Sequence, residues 1–194
     1  MRTIVVEDYN PEWPHHFEDL RQLLMPSFQG LPVSIEHVGS TSVPGLAAKP
    51  IIDIDIVVPD AAVSRQVIAG LAPLGYWHQG DLGIPGRAAM KAGNERVPFS
   101  DDDRTKPPHH LYVILETSAA WENHRRLRSY LRSHPEAVMA YAALKKQLAA
   151  AYPHDIDAYV ASKTPLLADL LTKAGLAPHM VAAIRRANET PGGC

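Results

Sequence analysis

Two aspartates, Asp53 and Asp55, lie inside the most strand-like segment of the sequence. The segment covers residues 51–58 and reads IIDIDIVV, so it is apolar and β-branched apart from the two acids. Because side chains alternate along a strand, both carboxylates are predicted to lie on one face of a sheet. Two buried like charges repel each other and are costly to desolvate, and a divalent cation such as Mg²⁺ removes both costs. The alternatives are an exposed strand edge, or neutralisation by Lys49 or an arginine.

A Gly-Ser turn precedes this pair, with twelve residues between its serine and Asp53. The turn reads Gly39-Ser40-Thr41 and follows a predicted strand over residues 35–38. Glycine has no Cβ, so the backbone N–H groups and hydroxyls of such a turn can approach phosphate oxygens closely. A helix beginning near Val43-Pro44 would add its positive end. The spacing matches neither a Walker A loop nor a dinucleotide-binding fingerprint. The candidate phosphate-binding residues of this turn are Gly39, Ser40 and Thr41.

Positive charge is concentrated in the second half of the chain. Arg128 and Arg132 are four residues apart and therefore share a helix face, and Lys145 and Lys163 each follow a tyrosine by four residues. If this half packs over the strand that carries the two aspartates, these cations clamp a triphosphate, with the tyrosines near its base. Lys49 is a further phosphate contact or a partner of Asp53. The alternative for the helical cations is a solvated helix face.

The first half of the chain supplies the elements that must position these residues. A helix with Pro14 in its first turn is predicted to run through Phe17 and Leu24, and a second over residues 61–74. Further strands are predicted over residues 86–91 and 110–115. Residues 94–108 are polar and contain several prolines and aspartates, which predicts a surface loop. The three tryptophans, Trp13, Trp77 and Trp121, are expected to be core anchors.

From Trp121 onward the sequence becomes rich in Ala, Leu, Lys and Arg, which predicts several helices. Breaks are expected near Pro135, Pro153 and Pro165. We therefore predict an α+β fold, with a small mixed sheet flanked by helices and a C-terminal helical bundle. The expected divisions are an α+β core over residues 1–118, a helical half packed on it over residues 119–175, and a C-terminal helix with a frayed tail over residues 176–194.

Composition limits the classes of partner. The 194 residues carry a net charge of -2 with a pI near 6.5, so bulk electrostatics favour neither nucleic acid nor anionic membranes. Cys194 is the single cysteine, which excludes a disulfide within the chain. The N-terminus lacks a signal-peptide pattern, and no apolar run is long enough to span a membrane. A cytoplasmic location is expected, and the oligomeric state cannot be read from the sequence.

A strand ending in Gly-Ser, a short spacer and an Asp-x-Asp strand resemble the signature of the polymerase-β-like nucleotidyltransferases. The longer stretch from His37 to Ile56, HVGSTSVPGLAAKPIIDIDI, resembles the GrpB family of uncharacterised proteins. Further matches are Tyr9–Trp13, His110–Val113, Leu127–Pro135, Tyr141–Lys145 and Tyr159–Lys163, so the resemblance covers roughly residues 4 to 172. It implies a nucleotidyltransferase-type fold, and it adds weight to a functional role for Arg128, Arg132, Lys145 and Lys163.

The sequence departs from the superfamily pattern at one position. Active nucleotidyltransferases of this superfamily generally carry a third carboxylate on a neighbouring strand. The expected strand here presents His110, Tyr112 and Ile114 on the facing side, with no carboxylate. Glu116 and the acids of residues 101–103 are the candidates to replace it; otherwise His110 completes the site as a metal ligand or a base. Two carboxylates can hold one metal, whereas a two-metal mechanism requires the third.

These features lead to three functional hypotheses. The first is an enzyme that binds Mg²⁺ (or Mn²⁺) on Asp53 and Asp55 and transfers a nucleotidyl group from an NTP, with ATP the expected donor, to a small-molecule acceptor, or adenylates that acceptor's carboxylate. The second is a catalytically degenerate module that binds a nucleotide or a CoA-like ligand and regulates a partner. The third is RNA modification, against which the acidic pI and the lack of an aromatic-basic stripe argue.

Overall fold

The protein is described by a computed structural model that covers residues 3–102 and 104–189. The strands in this part of the chain are β1 (Ser34–Val38), β2 (Ile52–Val58), β3 (Tyr76–His78), β4 (Arg87–Ala92) and β5 (His109–Leu115). The helices are α1 (Trp13–Leu24), α2 (Ala61–Leu71), α3 (Ala119–Ser133), α4 (Pro135–Ala151), α5 (Ile156–Lys173) and α6 (Pro178–Glu189). Short 3-10 turns follow α1 at Met25–Phe28 and β1 at Ser40–Ser42.

The strands form one mixed sheet in the order β1-β2-β5-β4-β3. β2 runs parallel to β5, and the other neighbouring pairs are antiparallel. β2 is therefore paired on both sides, which satisfies its backbone hydrogen-bonding groups and holds its side chains rigidly. The predicted α+β class, a small mixed sheet flanked by helices and followed by further helices, is confirmed.

One face of the sheet forms the main hydrophobic core. Ile52, Ile54 and Ile56 of β2 point to this face and pack against α1 and α2. From these helices come fully buried leucines such as Leu20 and Leu71. Each large apolar side chain buried in this way stabilises the fold by roughly 1.5–3 kcal/mol relative to an exposed one. The isoleucines thus fix the orientation of β2, and the alternating aspartates are forced to the opposite face.

The opposite face is covered only in part, and mainly by α3. Near the carboxyl end of the parallel pair, Val57 and Ile114 pack against Ala120 at the start of α3. Ser118 caps this helix by accepting a hydrogen bond from the backbone N–H of Trp121. α3 consequently begins on β2 and β5, and its next turns pass over the polar part of β2.

Helices α3 to α6 pack on one another and on the turn after β1. Val43 and Leu46 of this turn are buried against Leu131 of α3, Val138 of α4 and Leu170 of α5. The helical half is therefore fixed to the sheet through the segment that joins β1 to β2. This attachment brings the lysines of α4 and α5 towards the Gly-Ser turn.

The expected helix break at Pro165 is wrong, because Pro165 lies inside α5. A proline in a helix removes one backbone hydrogen bond and costs about 3 kcal/mol. Here the residues around it are strongly buried: Thr164, Ala168 and Leu171 face the helical core. Burial of this face compensates for the lost hydrogen bond, so the helix continues to Lys173. The breaks near Pro135 and Pro153 are confirmed.

The helix expected near Val43-Pro44 is absent from the structure. Val43 has extended dihedrals of φ -108° and ψ 113°, as steric contact with the following proline ring favours. Gly45 then takes a positive φ of 79°, which turns the chain rather than continuing a helix. The Gly-Ser turn therefore gains no helix dipole from this segment. The helix predicted over residues 61–74 is present but ends at Leu71.

The division of the chain at residue 118 stays a prediction, although α3 begins at the next residue. Of the expected frayed tail, residues 190–194 lie outside the described residues, and so does Cys194. Among the helices that the structure describes, none combines the length and apolar character needed to cross a membrane. Trp13 is buried as expected, whereas Trp77 is half-exposed and is no core anchor.

Candidate functional site

Asp53 and Asp55 lie on the same face of the sheet, at the point where β1, β2 and β5 meet. In the strand register Asp53 is level with His110 of β5, and Asp55 is level with Tyr112. The side chain of Asp53 is 31% exposed, whereas Asp55 is fully buried. The Oδ1 atom of Asp55 has no hydrogen-bond partner. A buried carboxylate oxygen without a partner is costly, and it marks a position where a further cation or donor would bind favourably.

His124 of α3 provides the counter-charge of Asp55, and the sequence analysis missed it. Its Nδ1 lies 2.7 Å from Oδ2 of Asp55. Burial alone would lower the pKa of His124, but the Asp55 carboxylate, together with the charge of Asp53, raises it above its usual value. His124 precedes Arg128 by four residues and so shares the predicted cationic helix face, which is the sequence signal that could have identified it.

His110 lies next to the second carboxylate of the pair. Its Nδ1 is 3.0 Å from Oδ1 of Asp53. Because carboxylate oxygens accept hydrogen bonds, Nδ1 of His110 is assigned as the donor in this contact, and Nε2 is the second nitrogen of the ring. The ring is half-exposed, so Nε2 is accessible to a ligand above the sheet. The predicted involvement of His110 thus has the geometry that it requires, and its role stays a prediction.

A third carboxylate does face the pair, but it comes from β1. Glu36 is directly opposite Asp55 in the antiparallel register and therefore lies on the same face. It forms an ion pair with Arg128, with 3.0 Å between Nη1 and Oε2. Glu36 was not among the expected candidates, because the pairing of β1 with β2 does not follow from the sequence.

Two of the substitutes proposed for a third carboxylate, Glu116 and Asp102, are placed elsewhere. Glu116 lies four positions beyond Tyr112 along β5, which corresponds to about 13 Å at strand spacing. Asp102 is held within its own loop by Lys106, at 2.5 Å, and by Ser100. Asp103 lies outside the described residues. The carboxylate of Asp102 is thus paired within its own loop and is not placed as a third ligand beside Asp53 and Asp55.

Gly39 brings the turn after β1 against the carboxylate of Asp53. Its dihedrals, φ 69° and ψ -169°, belong to a region that is essentially restricted to glycine. A Cβ placed on Gly39 would be 2.1 Å from Oδ2 of Asp53. The absence of a side chain is therefore required both by the backbone and by the close approach of the acid.

Ser40 and Thr41 have different roles in this turn. Ser40 Oγ accepts a hydrogen bond of 3.0 Å from Nζ of Lys145 and remains partly exposed. Thr41 is buried, and its hydroxyl donates to the carbonyl of Ile51 while accepting from Nε2 of His37. Burial lowers the pKa of His37 to about 4, so its ring is neutral. The Thr41 side chain therefore stabilises the turn, and it is not available to a phosphate as predicted.

Lys145 contacts the Gly-Ser turn, and Lys163 and Lys49 are near enough to act on its charge. Lys145 is only 3% exposed, and burial lowers its pKa to about 7, with further lowering by the charges of Lys163 and Lys49 and an opposing effect of Asp53. The ammonium of Lys145 lies 4.7 Å from the ring centroid of Tyr141, and that of Lys163 lies 5.2 Å from the ring centroid of Tyr159. Several cations around one buried ammonium favour an anion in their midst.

Arg128 and Arg132 bind protein acceptors and fix α3 to the turn. Arg128 donates to the carbonyl of His37 at 2.6 Å in addition to its ion pair with Glu36. Arg132 donates from Nε and Nη2 to the carbonyl of Ser42, at 3.1 Å and 2.7 Å. These contacts use Nη1 of Arg128 and Nε and Nη2 of Arg132 for positioning, and the phosphate contacts expected of both guanidinium groups stay a prediction.

The carboxylate pair is not a preformed metal cage. Among the residues that the structure describes, no group of three or more His, Cys, Asp and Glu side chains is arranged to hold a metal ion. The donors that do converge are carboxylate oxygens, which are the ligands that Mg²⁺ and Mn²⁺ prefer. Together with the unpartnered Oδ1 of Asp55, they fit a single cation that completes its coordination with phosphate and water.

The substitution Gly39→Ala is expected to destabilise the protein by about 2 kcal/mol or more, because it adds a steric clash with Asp53 to the strain of a positive φ. Gly80→Ala is the matched control: its φ is 84°, and a Cβ there would meet nothing within 4 Å. Urea unfolding of both variants measures the difference. Equal losses of unfolding free energy would show that Asp53 does not pack against the turn.

The substitution His124→Gln is expected to lower the free energy of unfolding by about 3 kcal/mol in acid, because it leaves a buried carboxylate without its counter-charge. Since the folded-state pKa of His124 is raised, its contribution is complete below about pH 6.5 and is lost as the pH rises through the folded-state value. Urea titrations of both proteins from acid to alkaline pH test this. His179→Gln, at an exposed position, is the control, and a difference that grows with pH would contradict the assignment.

Comparison with known proteins agrees with the resemblance noted in the sequence. A relative from Bacillus subtilis (strain 168), the UPF0157 protein YqkA, is 36% identical over 84% of this chain and 44% of its own length. The crystal structure of conserved protein GrpB from Enterococcus faecalis superposes with a TM-score of 0.71 at 32% identity, over 87% of this chain and 98% of that one.

Two further similarities concern proteins with described activities. A protein of Mycolicibacterium paratuberculosis described as dephospho-CoA kinase is 27% identical over 85% of this chain and 44% of its own length. This chain thus spans less than half the length of both that protein and YqkA. The Cid1 poly(U) polymerase aligns with 73% of this chain and 44% of its own at 11% identity and a TM-score of 0.41, a likeness too low to bear on activity. Residues 3–173 match the family described as GrpB protein, and the chain belongs to this family.

Proposed function

We propose that this protein is a metal-dependent nucleotidyltransferase that binds an NTP and transfers its nucleotidyl group to a small-molecule acceptor. The observation that carries the proposal is the contact between the buried ammonium of Lys145 and Ser40, at 3.0 Å, directly beside the aspartate pair. Anion-binding groups and metal-binding carboxylates are thus adjacent, which is the requirement of phosphoryl and nucleotidyl transfer. ATP is the donor to test first.

The phosphates of the nucleotide would bind at the Gly-Ser turn. Ser40 offers a hydroxyl, and Gly39, which has no side chain, lets the turn lie directly against Asp53. Lys145 and Lys163 carry the positive charge, and Lys49 adds to it from the segment before β2. A buried ammonium whose pKa is lowered regains its charge when an anion binds, so this cluster has its highest affinity for highly charged groups such as a triphosphate.

Asp53 and Asp55 would hold the metal ion beside the phosphates of the nucleotide. Oδ1 of Asp55 is buried without a hydrogen-bond partner, so it could do so without breaking an existing bond. When bound, Mg²⁺ or Mn²⁺ neutralises the charge that develops on the phosphates during transfer. His124 holds Oδ2 of Asp55, and Arg128 holds the third carboxylate, Glu36, in an ion pair.

The chemical step is a displacement at the α-phosphorus. A hydroxyl or amine of the acceptor attacks this atom, the bond to the oxygen that bridges the α- and β-phosphates breaks, and pyrophosphate leaves. Nε2 of His110 takes the proton of the nucleophile, and Asp53 orients the ring through Nδ1. The same arrangement serves adenylation, in which a carboxylate of the acceptor attacks and no proton is removed.

Calorimetric titration with ATP is expected to show binding that requires Mg²⁺ in the wild-type protein and is lost in Asp53→Asn and in Asp53→Asn/Asp55→Asn. The physical reason is the loss of the anionic oxygens that hold the cation. Asp19→Asn, at an exposed position of α1, is the control and should bind like the wild type. The single variant Asp53→Asn is included because Asp53 is partly exposed, so that its substitution should leave the fold intact. Equal binding by wild type and Asp53→Asn would overturn the assigned metal site.

Binding of ATP at about pH 8 is expected to be accompanied by the uptake of close to one proton by the protein. Lys145, with a pKa of about 7, is largely neutral at that pH and becomes charged next to phosphate. Titration in Hepes and in Tris, which differ in ionisation enthalpy, measures this uptake. It should vanish near pH 6, where Lys145 already carries its proton, and in Lys145→Met. Lys163→Met should bind more weakly and keep the uptake, whereas identical heats in both buffers would contradict the role of Lys145.

A second candidate function is a binding module for a CoA-like ligand that regulates a partner. It is favoured by the similarity to the protein described as dephospho-CoA kinase, of which this chain matches only a part. Pyrophosphate release separates the two candidates. Release that depends on Asp53 supports the enzyme. Tight binding of dephospho-CoA without any release, across a panel of hydroxyl, amine and carboxylate acceptors, would favour the module.

A further inference from the structure

The face of the sheet that carries the aspartates continues as an open surface over β5, β4 and β3. In the strand register Ala89 of β4 is opposite Tyr112, and Lys91 of β4 is opposite Trp77 of β3. Since alternate residues share a face, Arg87, Lys91 and Trp77 project on the same side as Asp55. On this side α3 packs on β2 and on Ile114 at the end of β5, whereas Lys91 of β4 and Trp77 of β3 remain exposed. We call Arg87, Lys91, Trp77 and Tyr112 the open sheet surface.

Trp77 is the first unusual feature of this surface, because it is 50% exposed on a regular strand. Its ring lies beside Gly93, where an added Cβ would be 3.3 Å from the ring. The ammonium of Lys91 is 5.8 Å from the ring centroid. An exposed indole held against the backbone, with a cation beside it, presents a flat apolar face and a positive charge to a ligand.

Arg87 is the second feature. Its guanidinium carbon lies 4.7 Å from the ring centroid of Tyr112. Its Nε is buried and has no hydrogen-bond partner. An N–H of a guanidinium that is removed from water and left unsatisfied is costly, and an anionic oxygen is its best partner. The open sheet surface therefore combines two cations with two aromatic rings.

The open sheet surface lies on the side from which the nucleophile would enter. This step rests on the proposed function. The turn follows β1, so the β- and γ-phosphates would bind on the β1 side of Asp53. In an in-line displacement the nucleophile enters opposite the leaving pyrophosphate. The strand order β1-β2-β5-β4-β3 makes β5 and β4 the elements on that opposite side. His110, the base of the proposed reaction, lies on β5, between the aspartates and the open sheet surface.

We infer that the open sheet surface binds the acceptor, and that the acceptor is a small planar molecule carrying a carboxylate or phosphate group. Its ring stacks on Trp77, and its anionic group lies between Lys91 and Arg87. Its nucleophilic atom then points towards His110 and the α-phosphorus. The charge of the protein as a whole is -2, so this local positive charge is not a consequence of a basic surface in general.

The test uses 3-hydroxybenzoate, which is planar and anionic and carries a hydroxyl, and its neutral counterpart 3-hydroxybenzyl alcohol. Binding is followed by tryptophan fluorescence and calorimetry. We expect 3-hydroxybenzoate to bind at least about tenfold more tightly than the alcohol, and to lose about tenfold in affinity in Lys91→Ala and in Trp77→Ala. Both substituted side chains are exposed, so the variants should fold. Arg65→Ala, on α2 behind the opposite face of the sheet, is the control and should bind like the wild type.

Several results would overturn the inference. The first is equal affinity for 3-hydroxybenzoate and the alcohol, and the second is binding of 3-hydroxybenzoate that survives both substitutions. The third is a larger loss of affinity in Lys163→Ala than in Lys91→Ala, which would place the acid in the lysine cluster instead. Tighter binding of a ten-nucleotide oligoribonucleotide to this surface would assign it to a nucleic acid. Titration of the same variants with ATP and Mg²⁺ separates the two proposals. We expect nucleotide binding to be unchanged in Lys91→Ala. Absence of nucleotide binding in the wild type would count against the nucleotidyltransferase, and the 3-hydroxybenzoate titrations would then decide about the open sheet surface alone.

Discussion

The site depends on one constraint, the burial of the Asp55 carboxylate on a strand whose other face is apolar. Three isoleucines fix the orientation of β2, so Asp55 cannot turn away into solvent without removing them from the core. Its charge is compensated by His124 from α3, and one of its oxygens still lacks a partner. A fold that retains an incompletely satisfied buried acid accepts a cost in stability, as proteins do at functional sites.

The contact between His124 and Asp55 also connects the helical half to the sheet. α3 carries His124 to Asp55, Arg128 to Glu36 and Arg132 to the carbonyl of Ser42, so three successive polar contacts run along one helix face. These contacts hold the Gly-Ser turn and the aspartates in a fixed relation. α4 can then place Lys145 at Ser40 with the accuracy that recognition of a phosphate requires. Side chains that resemble ligand contacts in the sequence thus act as the support for others that remain available.

Charge is arranged in three zones across one face of the sheet. The lysine cluster lies at the β1 side, the acids lie at the centre, and the open sheet surface with its cations and rings lies towards β3. In the proposed reaction a metal nucleotide binds in the first two zones, and an anionic acceptor binds in the third, positively charged zone. Membership of the GrpB family is consistent with this arrangement but assigns no substrate, since the family match establishes relationship and fold.

The sequence by itself determined the α+β class, the Asp53/Asp55 strand, the Gly-Ser turn and the pairing of Lys145 and Lys163 with tyrosines, because these follow from local periodicity and spacing. Only the tertiary structure decided which partners these groups have. His124 and Glu36 are both distant from Asp55 in the sequence, so spacing can place His124 on a helix face but cannot show that either residue meets Asp55. Likewise Thr41, Arg128 and Arg132 carry polar groups that suit phosphate, but the packing of α3 and β2 committed them to internal acceptors. Local sequence specifies the type of a side chain and its face, whereas its partner depends on which elements the hydrophobic core brings together.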